Sequence, residues 1–579
     1  MNINKWYKSK GKFLFWLVVI GIVLRIIFFI SNFIIGDVHI DESMLFANAL
    51  SIVNNGTDLL GNKFPVYFPT WFIGGQSPLG TYLSAFAAKL FGNNLFVLRL
   101  PALIVGCIGL MCSAKLGDLL FLQKEFKYAF VGLSAVSPWM IFSSCYVLDC
   151  NYMGYNLIFG ILMLAKGQKQ NKRIYYVLSM FFFSLCFYSY IASVLIVPVF
   201  LAITYLILFV RKKISIGDCL LSVVLLLLLL FSIPFIIFGL VLTGKIEPFS
   251  TQIMSFPDMK FYSRENSLAL NSGTLFEVIK QLFKNFFESL SIVAFPESAI
   301  TLDNISVNNL FLYGNVGAGF ISIFGIAELF LSKLHKKDIK GSTITKSIII
   351  ASCGVIVVFC AMTNMPLFAY AYRYGVLTPL LLFFEAIGLA LLIYKIKAID
   401  IKKFKLILVG YLTVSLMFFG IEFFYIYPKN SESNHLSYGN SLNNCLAVSD
   451  RTDPNNTIIL CNSQYDRGTL VYLYYYQSDK NLYDFADCML NAYVKFHQFG
   501  AGYSINDAFK DEIISYGNLH PENKTNNKIS VSDTITILNS DEIELTEKCY
   551  IVQHSELSQY NYENYKVKEN GFYDILIKK

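Results

Sequence analysis

Charge is scarce in this chain. Only 15% of its 579 residues are Asp, Glu, Lys or Arg, against about 25% in ordinary soluble domains. Hydrophobic residues make up 55%, with 52 Phe and 36 Tyr, and the mean hydropathy is +0.52. That balance points away from a soluble domain and toward a polytopic membrane protein. Metal-type cysteine spacing is also missing from the apolar part. Cys107, Cys112, Cys145, Cys150, Cys186, Cys219, Cys353 and Cys360 lie in or beside apolar spans with no CxxC among them, and read as small buried hydrophobes. No small-x-small cleavage site follows the first apolar stretch, which at about 23 residues is too long for a signal-peptide core; it reads as a retained first transmembrane helix. No internal repeat is found, although secondary transporters often carry one. The net charge of +7 is modest, and nothing in it suggests nucleic acid.

What charge there is lies in a pattern. Residues 13–35 form the first span, and Lys5, Lys8, Lys10 and Lys12 before it place the N-terminus in the cytoplasm. Residues 36–96 are then a first outer loop. Within it Thr81–Phe91 is apolar but about half the length a spanning helix needs, and is expected to lie along or dip into the outer face. Further spans are expected near 97–120, 128–147, 151–166, 174–190, 191–210, 218–243, 311–332, 347–364, 369–394 and 406–427, with a second outer loop at 244–310. This gives about eleven spans. Every basic cluster between spans, Arg211-Lys212-Lys213 among them, then falls in the cytoplasm. If Thr81–Phe91 spanned, all the later clusters would face the wrong way.

Residues 428–579 are a different polymer, rich in Asn, Asp and Tyr. Strand-like stretches at Thr457–Cys461, Leu470–Tyr475, Ile529–Leu538, Cys549–Gln553 and Tyr573–Ile577 alternate with helix-like ones, which suggests a small extracytoplasmic α/β domain. Its four cysteines, Cys445, Cys461, Cys488 and Cys549, allow two disulfides in any of three connectivities, or remain thiols. The fold expected is thus a polytopic α-helical membrane module, residues 1–427, followed by that small domain.

The acids that stand out are Asp41 and Glu42, in His39-Ile40-Asp41-Glu42, and Asp149, in Leu148-Asp149-Cys150-Asn151. All three fall on the outer side. Acids at a membrane boundary are ordinarily solvated, but one carboxylate that takes a proton and another that orients an acceptor are what transfer to a hydroxyl needs. Asp149 also suits an N-cap for a helix starting near Asn151. Arg25 and Glu385 lie inside spans; such charges are costly and usually paired, and both read as structural, with each other as the candidate partner.

Taken in order, HIDE after the first span, GGQSPLGTYL closing the loop, LRLPALIVG and SPWMIFSSCYVLDCNYMGYN resemble the membrane-embedded GT-C glycosyltransferases. The similarity is to the protein O-mannosyltransferase and aminoarabinose transferase group and its Firmicute relatives. The motifs run through residues 15–165, and the span pattern continues the likeness to about residue 425. The resemblance implies a multi-pass protein of a bacterial plasma membrane and an inverting transfer of sugar from a polyprenyl phosphate to a protein, lipid or glycan hydroxyl. Asp41 would be the general base, with Glu42 and Asp149 shaping the acceptor and donor pocket. No cofactor is required, and a divalent cation is left open. The leaving phosphate needs cations or hydrogen-bond donors. Aminoarabinose transferases place a Lys just before the Pro that ends the first loop, where this chain has Gln76-Ser77-Pro78. Replacements for that contact are Arg373 with Tyr372 beside it, and Arg264 in the second outer loop; an Arg fork suits phosphate oxygens.

Two other readings stand beside the transferase. A transporter or lipid-linked-sugar flippase would use intramembrane charges, for which Arg25 and Glu385 are the candidates. A non-catalytic anchor for the outer domain is favoured by Gln76 and opposed by the retained Asp41, Glu42 and Asp149.

Overall fold

The computed structural model describes residues 11–35, 40–58, 61–69, 75–230, 233–257, 273–294, 315–331, 342–362, 375–395, 400–426, 439–453, 456–460, 524–525, 528–530, 535–538, 545–570 and 573–579. The helices are α1 (Lys12–Ile35), α2 (Ile40–Asn55), α3 (Pro78–Phe91), α4 (Leu95–Leu120), α5 (Lys124–Val136), α6 (Pro138–Phe142), α7 (Asp149–Gln170), α8 (Arg173–Phe187), α9 (Ser193–Val210), α10 (Ile216–Leu230), α11 (Ile233–Leu242), α12 (Leu275–Ala294), α13 (Ala318–Leu331), α14 (Thr343–Met362), α15 (Thr378–Lys395), α16 (Ile401–Ile421) and α17 (Gly439–Thr452). The strands are β1 (Phe68–Pro69), β2 (Gly75–Gln76), β3 (Phe249–Ser250), β4 (Ser255–Phe256), β5 (Thr457–Leu460), β6 (Lys524–Thr525), β7 (Lys528–Ser530), β8 (Ile535–Leu538), β9 (Cys549–Gln553), β10 (Tyr565–Asn570) and β11 (Tyr573–Lys578). The chain forms two compact units: Met1–Ile34 with Arg99–Ile236 and Ser263–Tyr427, and Ile35–Leu98 with Ile237–Tyr262 and Pro428–Lys579.

The first unit is helical. Among the described residues six helices are long and apolar enough to cross a bilayer, at Lys12–Asn32, Leu95–Leu120, Ser193–Val210, Thr343–Met362, Gly375–Tyr394 and Ile401–Tyr425. Each falls on a stretch that the hydropathy of the sequence marks as a span, and the protein is a multi-pass membrane protein. In α1, Trp16, Ile20, Val23, Ile27 and Ile30 are exposed, while Leu14, Leu17, Val18, Phe28 and Phe29 are buried. Spacings of three and four put each set on one face, one for acyl chains and one for the bundle.

The stretch expected as one span at 128–147 is broken. α5 stops at Val136, Pro138 opens the five-residue α6, and a turn follows. Pro138 has no N–H, so the carbonyl of Ser134 loses its partner four residues on. Arg25 of α1 supplies the missing donors: its Nη2 reaches the Ser134 carbonyl at 3.0 Å, and its Nη1 reaches the carbonyls of Ala135 at 3.1 Å and Gly21 at 2.9 Å. Arg25 is therefore a cap for a broken helix and not the partner of Glu385. Glu385 instead accepts from Asn315 Nδ2, at 2.9 and 3.2 Å, and from the Tyr411 hydroxyl at 3.3 Å. Because the two charges share no partner, Arg25→Ala and Glu385→Ala should destabilise additively, within about 0.5 kcal/mol. A thermal double-mutant cycle in detergent checks this; coupling well above that value would restore the pair.

The loop expected to be polar and semi-regular at 244–310 holds an amphipathic helix, α12. Thr274 and Glu277 form its capping box: the Thr274 N–H and hydroxyl both donate to Glu277 Oε2, at 2.7 and 2.8 Å, and hold that carboxyl below its usual range. Leu275, Phe276, Ile279, Phe283 and Phe287 are exposed, while Asn285 faces α14 and donates to the Ala361 carbonyl at 3.1 Å.

In the second unit α2 packs on α3. At 14 residues α3 is about 21 Å long, well short of a ~30 Å hydrocarbon core. The β3–β4 hairpin is tied to the 61–69 segment by Lys63 and Ser255: the Lys63 N–H donates to Ser255 Oγ at 2.9 Å, and the Ser255 N–H donates to the Lys63 carbonyl at 2.7 Å. The C-terminal part is a mixed sheet in the order β10-β11-β9-β5-β8-β7-β6, with β5 parallel to β8 and β9 and α17 packed against β9 and β11. Cys445 donates to the Tyr573 carbonyl at 3.6 Å, and Cys549 lies 3.3 Å from Ser449 Oγ. Cys461, Cys488 and the strand expected at Leu470–Tyr475 lie outside the described residues.

Candidate active site

Asp41 and Glu42 sit in the first turn of α2, which begins five residues after α1 ends. A first turn leaves its backbone N–H groups without helical partners and carries the positive end of the helix dipole, so it favours carboxylates. Glu42 is fully buried, and Met44 to Ser51 of the turns that follow are all buried. Behind them Asp58 closes the loop, accepting from the Asn62 N–H at 2.7 Å and side-chain amide at 3.0 Å, and its own carbonyl takes the Ser51 hydroxyl at 2.8 Å. Tyr82 of α3 donates to the Pro65 carbonyl at 2.7 Å; burial, with Asp58 nearby, pushes its phenol up.

Gln76 is placed by strand pairing. It stands opposite Phe68 across β1 and β2, and the next two residues, Ser77 and Pro78, are the N-cap and first residue of α3. Pro at that position costs nothing, because its missing N–H would be unpaired in any case. Gln76, Ser77, Thr81 and Ser84 are all buried. Asp41, Glu42 and Gln76 are thus carried on adjoining elements of one unit.

Asp149 belongs to the other unit. The helix expected to start near Asn151 starts at Asp149 itself, and Leu148 occupies the N-cap without a side-chain bond. Asp149 therefore lies in the first turn, half-buried, with Oδ1 taking the Cys150 N–H at 2.8 Å. The loop before it is fixed by its own polar residues. Asn151 donates to the Tyr146 carbonyl at 2.9 Å. The Tyr155 hydroxyl lies 2.8 Å from Ser143 Oγ and donates to the Met140 carbonyl at 2.8 Å. The fully buried Trp139 fills the space that a Cβ at Gly154 or at Gly375 would need. Gly375 is two residues after Arg373 in sequence, and Gly154 is five after Asp149. Arg264, Tyr372 and Arg373 themselves lie outside the described residues.

One functional candidate was missed. Arg99, inside LRLPALIVG, is 1% exposed, and its guanidinium carbon sits 4.8 Å from the centre of the Tyr146 ring, within cation–π range. A permanent cation is thus held against the loop that leads into Asp149. The signal was available: a lone Arg near the start of an apolar span is the same kind of intramembrane charge as Arg25. Among the described residues no group of three His, Cys, Asp or Glu side chains is arranged to hold a metal ion.

Residues 75–238 match the family described as dolichyl-phosphate-mannose-protein mannosyltransferase, a segment that contains Gln76, Arg99, Tyr146 and Asp149. No curated protein matches the chain. Among solved structures, ArnT from Cupriavidus metallidurans in the apo state is similar over 97% of both chains, at 12% identity and a TM-score of 0.50; the likeness is one of fold. The same ArnT bound to undecaprenyl phosphate gives a TM-score of 0.46 at 12% identity over 97% of both chains. The apo oligosaccharyltransferase of Archaeoglobus fulgidus is similar over 82% of this chain at 13% identity and a TM-score of 0.49, and this chain spans only 64% of that enzyme's length. Residues 75–238 thus match a mannosyltransferase family, and the fold of the chain is similar to that of ArnT, so that the protein resembles the GT-C membrane glycosyltransferases.

Proposed function

We propose that the protein transfers a sugar from a polyprenyl phosphate to an acceptor hydroxyl at the outer face of the membrane, with inversion at the anomeric carbon. Asp41 takes the hydroxyl proton as the acceptor oxygen bonds to the anomeric carbon. The bond from that carbon to the phosphate oxygen breaks, its electron pair stays on the phosphate, and polyprenyl phosphate leaves. Glu42 and Asp149 orient the acceptor and the sugar. The observation that carries this reading is Arg99, a buried guanidinium stacked on Tyr146 in the loop that opens onto the half-buried Asp149. A fixed cation against the loop that leads into a carboxylate suits a leaving phosphate beside a polyhydroxyl sugar, and both residues lie in the segment that matches a dolichyl-phosphate-mannose transferase family. Arg99 answers the need left by Gln76, with Arg373 and Arg264 as further donors to the phosphate.

Arg25, one of the two charges a transport reading would use, is occupied in capping backbone carbonyls. The test is mass spectrometry of envelope glycans and glycoproteins from cells with and without the protein. One sugar increment should vanish in its absence and return with the wild-type chain but not with Asp149→Asn. An unchanged glycan profile, together with substrate flux in proteoliposomes lacking donor lipid, would replace transfer by transport.

A further inference from the structure

A cavity of about 810 Å³ opens at the far end of α7 to α10. Two connections build it. The α7–α8 turn passes through Asn171, and the turn after α9 passes through Lys212, both left-handed at φ 49° and 52°; Ser215 then leads into α10. Arg173, Lys212 and Lys213 line the cavity with one carboxylate, Asp218, and with Tyr176 and Phe209 on its apolar side. The back wall is fixed, because Gln168 Nε2 donates to the Tyr176 hydroxyl at 2.6 Å and to the Lys213 carbonyl at 3.2 Å.

The cations there are not consumed by the fold. Lysines after a helix often serve its last carbonyls, but here the N–H groups of Arg211, Lys212 and Lys213 bond Ile207, Phe209 and Leu208, which leaves the ammonium groups to the cavity. Asp218 is engaged by Ser215 Oγ at 2.7 Å, and its approach to Arg173 Nε is long, 3.5 Å, with the Arg173 side chain 82% exposed. Such a pair holds an Arg only weakly.

We propose that this cavity binds the headgroup of an anionic phospholipid, its phosphate on Arg173, Lys212 and Lys213. Basic residues on a membrane-facing segment are common, but a walled cavity is not needed to orient a span. The surface beside it separates a lipid from a soluble phosphate. Leu206 and Val210 on α9 and Ile216 and Leu220 on α10 are all strongly exposed, so acyl chains attached to a phosphate in the cavity have apolar surface to run along. The Arg211-Lys212-Lys213 cluster is one that charge pattern assigns to the cytoplasmic side, where anionic lipids attract basic residues. The site is separate from the transfer chemistry proposed above, and its test does not depend on it.

The full-length protein, purified in detergent, is incubated in turn with phosphatidylglycerol, phosphatidylcholine and inorganic phosphate, and lipid retention is read by native mass spectrometry. Phosphatidylglycerol should be retained over phosphatidylcholine. Lys212→Ala with Lys213→Ala should weaken that retention roughly tenfold or more, and Lys212→Arg with Lys213→Arg should keep it, with all variants melting alike. Equal retention of the two lipids, or retention untouched by the double Ala variant, overturns the proposal. Inorganic phosphate displacing the lipid at low concentration would assign the site to a soluble anion instead.

Discussion

Asp41→Asn is expected to lower sugar transfer about 100- to 10,000-fold while the protein stays folded, the range for losing a general base. Asn keeps the size and one acceptor oxygen of Asp but cannot take the acceptor's proton. The loss should therefore fall on kcat, with donor and acceptor binding little changed. Residue 41 is in the first turn of α2, and the change from Asp to Asn leaves the side-chain volume as it was. Glu42→Gln is the contrast. Glu42 is fully buried, so that change is expected to move stability as well as rate. Transfer is measured in proteoliposomes with a lipid extract of the native envelope as donor, and thermal unfolding in detergent reports the fold. Full transfer by Asp41→Asn would remove the base assignment without touching the fold relationship, and a loss matched by unfolding would remove its mechanistic meaning.

Hydropathy made the spans legible because it sums over about 20 residues and tolerates local detail. The same averaging hid the break at Ser137-Pro138, where apolar residues stand on both sides and the window reads straight through. That one proline then decided the role of Arg25, 113 positions away by sequence, since orphaned carbonyls at Ser134 and Ala135 are invisible to any count of charges. Formal charge alone pairs Arg25 with Glu385, whereas their partners, backbone carbonyls and the Asn315 amide, carry none. Arg99 is harder to read from sequence, because a lone Arg near the start of an apolar span also fits a simple interfacial anchor. In the C-terminal sheet, β9 and β11 announced themselves by apolar runs. β10, Tyr565–Asn570, did not: as an edge strand it needs only Tyr565 and Val567 inward and exposes Lys566 and Lys568, a pattern that protects an edge and looks like a loop. The acids were found from sequence because an acid at the end of an apolar span is rare. What the sequence could not supply was the burial of Glu42, which depends on how α2 packs against α3.

Gly388→Ala is expected to destabilise the bundle by about 1–3 kcal/mol, the cost of overpacking, and Gly388→Val by more. α13 and α15 meet backbone to backbone. A Cβ at Gly388 would run into the Ile321 carbonyl and come within 3.1 Å of the Gly325 N, and one at Gly325 would meet the Phe384 carbonyl and, at 2.8 Å, the Gly388 N. A side chain in the way can rotate; a helix backbone cannot, so the helices must part. Between membrane helices no water is released to reward contact, and close packing with interhelical hydrogen bonds holds the pair. Parting them also draws Glu385, one turn before Gly388, away from Asn315, which precedes α13, and from Tyr411 on α16. A buried carboxyl stripped of its donors adds to the loss. Gly410 on α16 supplies the internal control, since a Cβ there meets nothing within 4 Å; Gly410→Ala should be neutral or stabilise slightly, as Ala is the better helix former. Thermal unfolding of the two variants side by side decides the matter: Gly388→Ala as stable as Gly410→Ala would mean that α13 and α15 are not in backbone contact, and the account of how Glu385 is held would fall with it.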